Sequence, residues 1–170
     1  MKRTILIIGI VMTIILILNN KEELILIPNE AIRIRVIANS NSTEDLSAKE
    51  EIKEDLNKFV EKILIGADSI EQARNKIENN LDLITNFVDK KIKDMNYNMN
   101  YNISYGYNYF PKKEFKGVLY NEGLYESLVL TLGAGKGNNY WCVLYPPLCL
   151  INNEEKEYRL FIKDILDKYI

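Results

Sequence analysis

Seven apolar residues, Ile70, Ala73, Ile77, Leu81, Ile84, Val88 and Ile92, recur at spacings of 3, 4, 4, 3, 4 and 4. At 3.6 residues per turn this places all of them on one stripe, whereas a strand would scatter them over both faces. The pattern predicts one long amphipathic helix that opens at Asp68 or Ser69 with Glu71 in its first turn. Such a stripe must be covered by other apolar surface, so the rest of the chain has to supply a partner layer.

A second helix precedes it. Ser42 is a natural N-cap, and Glu44 and Asp45 suit the positive end of a helix. Ile52, Leu56, Phe59 and Ile63 then repeat at 4, 3 and 4, and Gly66 is a C-terminal stop. The partner layer reads as strands on either side of the two helices. Ile32, Ile34 and Val36 alternate with Arg33 and Arg35, the period of a half-buried strand. Tyr101, Ile103, Tyr105, Tyr107 and Tyr109 alternate with smaller polar residues until Pro111. A weaker strand covers Phe115 to Tyr120, and Asn121-Glu122-Gly123 turns into a strand from Tyr125 to Leu132. A last strand runs from Tyr140 to Tyr145 and stops at Pro146-Pro147. Tyr158, Phe161, Ile162 and Ile165 sit at helical spacing near the end. The expected fold is α+β: a strand, two long helices, a mainly antiparallel sheet and a short C-terminal helix, in a single domain.

The first residues stand apart from that domain. Met1-Lys2-Arg3 is basic, and Thr4 to Leu18 is an unbroken apolar run. Fifteen residues make a helix of about 22 Å, short of the roughly 30 Å hydrocarbon core, so the run fits an export segment better than a stable span. No small-x-small cleavage site follows. We therefore expect residues 1–20 to be a signal peptide or an N-terminal membrane anchor, 21–28 a tether, and 29–170 the folded domain. Membrane association through residues 4–18 stays open with the question of cleavage.

Charge and inventory narrow the function. Setting Lys2 and Arg3 aside leaves 20 basic residues against 24 acidic ones, which argues against nucleic-acid binding. The chain has no histidine, so Ser-His-Asp and Cys-His catalysis and most zinc sites fall away. No cofactor and no metal is expected. Gly133-Ala134-Gly135-Lys136-Gly137 lacks the spacing and the Ser or Thr of a phosphate loop. It reads as a flexible connection between strands, or as a loop through which Lys136 meets a partner. Cys142 and Cys149 fall in one short segment, and in an exported protein that spacing reads first as a disulfide, with two free thiols as the other reading. Trp141 is the only tryptophan, and core packing and a binding anchor are both open for it. Arg33 and Arg35 project opposite to Ile32, Ile34 and Val36. They would form either a surface ion pair with Glu126 or the polar part of a recognition patch.

Two stretches resemble the stage II sporulation protein R family. One is Ala31-Ile32-Arg33-Ile34-Arg35-Val36-Ile37-Ala38-Asn39-Ser40-Asn41-Ser42. The other runs from Leu124 to Leu150 and contains Leu124-Tyr125-Glu126-Ser127-Leu128, the glycine loop and Trp141-Cys142-Val143-Leu144-Tyr145-Pro146-Pro147-Leu148-Cys149. The resemblance covers about Asn29 to Leu150. It departs from the usual pattern at Tyr140, where a second tryptophan is common, and at Tyr145, where phenylalanine is common. It implies a protein made in the forespore and exported into the space between the forespore and mother-cell membranes. There it would switch on a membrane-embedded aspartic protease that processes pro-sigma-E, with no catalytic residues of its own. Two rivals remain: an envelope hydrolase using Glu126 or Glu122, and a membrane-anchored structural protein.

Overall fold

The computed structural model describes residues 25–97, 99–115, 118–149 and 155–169. The expected export segment lies outside them. The strands are β1 (Ile25–Leu26), β2 (Ile32–Ile37), β3 (Tyr101–Phe110), β4 (Lys113–Phe115), β5 (Val118–Tyr120), β6 (Gly123–Leu132) and β7 (Asn139–Tyr145). The helices are α1 (Thr43–Leu64), α2 (Ile70–Asn79), α3 (Leu81–Asp94) and α4 (Glu155–Tyr169). The α+β class is as the periodicities require.

The main sheet has the order β3-β6-β2-β7. β3–β6 and β2–β7 are antiparallel, while the central β2–β6 pair is parallel because the helical segment crosses over between them. Ile32, Ile34 and Val36 of β2 and Leu128, Leu130 and Leu132 of β6 point to one face and are fully buried. They meet Ile52, Leu56 and Val60 of α1, Ala73 and Ile77 of α2, and Ile84 and Val88 of α3. Each such large aliphatic side chain contributes about 1.5–3 kcal/mol by leaving water. Phe59 and Phe87 stack at 4.2 Å between the helices.

The long helix expected from Ser69 to Ile92 is two helices, broken at Asn80. The Asn80 side chain donates to the Lys76 carbonyl at 2.8 Å, competing with the helical ladder for it. The apolar stripe crosses the break, because both halves keep the same side on the core. At α1 the expected cap is present, with the Ser42 hydroxyl accepting from the Asp45 N–H at 3.2 Å.

The sheet's other face carries a second, smaller core. β1, β5 and β4 form a separate sheet, β1 parallel to β5. Ile25, Ile27, Ala31 and Val118 pack there with Val143, Leu148 and Ile162 of α4. The fold thus starts earlier than expected: Ile25 and Ile27 are buried within the stretch read as a tether.

The glycine loop is also not a slack connection. The Ala134 N–H donates to the Asn39 side chain, the Lys136 N–H to the Asn39 carbonyl, and the Gly137 N–H to the Ala38 carbonyl. A Cβ on Gly137 would stand 2.2 Å from the Ser40 carbonyl oxygen, so only glycine lets the two loops approach this closely.

Candidate functional site

Register decides which side of the sheet each polar residue occupies. Arg33 lies opposite Ser127 and Arg35 opposite Val129, so Glu126 points to the other face. The ion pair expected between Glu126 and Arg33 or Arg35 is therefore impossible. Glu126 instead receives a two-pronged contact from Arg74 of α2, at 2.7 and 2.8 Å, and a third hydrogen bond from the Tyr105 hydroxyl at 2.7 Å. Burial works to raise the Glu126 carboxyl, but the Arg74 and Tyr105 hydrogen bonds outweigh it and hold the group below its ordinary value. A carboxylate so occupied is a poor general base. Among the described residues no cluster of His, Cys, Asp and Glu could hold a metal.

Arg33 is only 3% exposed, which corrects its reading as a surface residue. Its guanidinium lies 4.2 Å from the Tyr125 ring centroid, 4.7 Å from Phe110 and 5.4 Å from Tyr120. Its Nη1 is buried with no hydrogen-bond partner among the described residues. Desolvation lowers its pKa, while an arginine so placed still keeps its charge. The ring faces supply attraction worth about 2 kcal/mol or more in a desolvated setting.

Arg35 is half-buried, spans the ring of Trp141 at 4.3 Å, and donates from Nε to the Asn139 side chain at 3.2 Å. The indole also meets the edge of Phe110 at 4.9 Å. Trp141 is thus fixed by two neighbours while remaining half-exposed. Arg33, Phe110 and Trp141 line a cavity of about 550 Å³ that Lys53, Asn57 and Lys58 of α1 close on its far side. Lys136 is not part of its lining; it is exposed on the glycine turn.

Cys142 and Cys149 line the same cavity and are free thiols here. The turn through Pro146 and Pro147 brings Cys149 Sγ to within 2.9 Å of the Val143 carbonyl, and Cys142 Sγ lies 3.9 Å from the same oxygen. Burial and the neighbouring Cys142 sulfur push the Cys149 thiol well up. At Cys142 burial acts in the same sense, but hydrogen bonds from Cys149 and Tyr140 hold the thiol below its ordinary value.

Sequence reasoning missed Arg74 and Phe110, and read Tyr105 only as one of the alternating residues of its strand. None carries a local signal of its place in the site, since each acquires that role from a strand or helix far along the chain.

The fold and this site define a small α+β protein with a basic and aromatic cavity beside one sheet edge. The profile of the family described as stage II sporulation protein R matches residues 28–155. The chain is 34% identical over 133 residues to the stage II sporulation protein R of Bacillus subtilis (strain 168), covering 78% of this chain and 59% of that protein. It spans about three fifths of that relative's length. No solved structure matches the chain. This protein belongs to the stage II sporulation protein R family.

Proposed function

We propose that the protein is an exported sporulation signal that activates, by direct contact, the membrane-embedded aspartic protease that processes pro-sigma-E. It acts as a ligand and not as an enzyme. It reaches the space between the forespore and mother-cell membranes by means of residues 1–20, and residues 4–18 can hold it at a membrane surface. The observation that carries this reading is the family match across residues 28–155. The half-exposed Trp141, braced by Arg35 and Phe110, supports it as the kind of rigid aromatic anchor on which protein contacts depend.

Activation by contact requires tighter binding to the protease's active state than to its resting state. Turning a resting population almost fully active takes a preference of about 10⁴-fold. The test is reconstitution of the protease and pro-sigma-E in vesicles, with the full chain added on the extracytoplasmic side. Cleavage that rises saturably with added protein is expected. Cleavage unchanged by the protein rejects the reading.

A further inference from the structure

The cavity beside Trp141 is walled from both sides of the main sheet. Tyr140 and Cys142 line it from the helix side with Lys53 and Lys58, while Trp141 and Phe110 line it from the opposite side. Successive side chains of a strand point to opposite faces, so one cavity touching all of these must wrap around the free edge of β7. β7 is an edge strand, paired only with β2 among the described strands.

Hydrogen-bond alternation shows which main-chain groups face that edge. The Ala38 N–H donates to the Asn138 carbonyl, so in the antiparallel register Tyr140 and Cys142 turn their backbone groups toward β2. Asn139, Trp141 and Val143 turn theirs outward. The Val143 carbonyl confirms the alternation, because it accepts from the Leu148 N–H across the proline turn at 3.1 Å. That contact ends the groove. It leaves the N–H and C=O of Asn139 and Trp141 facing the cavity.

The charge is one-sided. Arg33, Lys53, Lys58 and Lys113 line the cavity against the single carboxylate of Glu54, in a chain whose net charge is −2. Lys53 is paired with Glu50, but Lys58 and Lys113 are exposed and form no ion pair among the described residues. We propose that this groove takes an extended acidic segment of a protein partner, added as a further strand along the free edge of β7. Its alternate side chains would meet Lys58 on one side and Trp141 and Lys113 on the other. This deepens the activation reading by naming the contact.

Trp141 is the sole tryptophan, so its emission reports on the groove directly. The full chain is titrated with a short capped peptide alternating Glu and Val. A saturable change in emission is expected, weakened about tenfold or more by N-methylation of the peptide backbone and by exchange of Glu for Lys. The variant Lys58→Glu/Lys113→Glu, at exposed positions and checked for folding by circular dichroism, should weaken it about as much. No saturable change, or equal binding of the N-methylated peptide, overturns the proposal. So does dimerisation of the free chain that Lys58→Glu abolishes, which would place a second copy in the groove. Peptide binding gained only on deleting residues 1–24 would place the chain's own start there and overturn it too. If the peptide fails to bind while the protein activates the protease, the groove falls and the activation reading stands. If the peptide binds and the protease is not activated, the groove stands and the activation reading falls.

Discussion

Arg35 and Trp141 face each other across the β2–β7 pair, with the guanidinium carbon 4.3 Å from the centroid of the indole ring. The stacking fixes the orientation of a half-exposed aromatic that would otherwise choose among rotamers. Replacing Arg35 by Ala is expected to cost about 0.5–1 kcal/mol of stability and to shift Trp141 emission to the red. Urea unfolding followed through that emission measures both. An unchanged native spectrum would contradict the bracing role.

Arg74 and Glu126 tie α2 to the central sheet, with Glu126 7% exposed and the Arg74 side chain 32% exposed. Arg74→Ala leaves a buried carboxylate with only the Tyr105 hydroxyl. Because one partner is partly solvated, the loss should be about 2–3 kcal/mol, below that of a fully buried pair. Tyr105→Phe removes one hydrogen bond and should cost about 1 kcal/mol. Chemical denaturation of the two variants and the double variant gives the coupling between them.

Much of the fold is visible in the pattern of apolar residues, because Ile52, Leu56, Ile77, Val88 and Leu130 answer to helix and strand periods that need no knowledge of the partner. The break at Asn80 is not visible that way: the stripe has the same phase before and after it. The small sheet is visible only in part: the strand read over Phe115 to Tyr120 contains β5, while β1 at Ile25–Leu26 is too short to show alternation. The site was legible in part. Trp141, Arg33 and Arg35 were picked out, but alternation within β2 says only that both arginines oppose Ile34. Whether that side is solvent or a second core depends on β5 and Phe110, which local sequence does not reveal. The Glu126 partner was misread for want of the register between β2 and β6.

The Asp45 carboxylate accepts hydrogen bonds from Ser40, Tyr97 and Asn39, which hold it down to about 2 from 3.8. A carboxyl whose pKa is lower folded than unfolded adds stability above the unfolded value, and loses it as pH falls through the folded one. The contribution should be whole above about pH 4 and decline toward pH 2. Unfolding measured across that window should show a shallower acid slope for Asp45→Asn than for the native chain. An identical slope would place the acid sensitivity elsewhere.

Cys142 and Cys149 share the Val143 carbonyl as a neighbour, so little movement separates the thiols from a bridge. Oxidised dithiothreitol should close a Cys142–Cys149 disulfide, taking up the two electrons and two protons that the thiols release. In the loop-entropy model the closure adds on the order of 2–3 kcal/mol. Alkylation before and after reduction, read by mass, checks it. Both thiols labelled without reduction after that treatment would contradict it.

In the proposed activation Trp141 is a contact residue and not merely a packing one. The decisive measurement is protease activation by Trp141→Ala, normalised to the folded fraction that circular dichroism and thermal melting report for the same sample. Activation per folded molecule is expected to fall about 30-fold, the equivalent of roughly 2 kcal/mol lost from an aromatic anchor. Lower thermal stability with full activation per folded molecule would contradict it, and would place Trp141 in the core with the interface elsewhere.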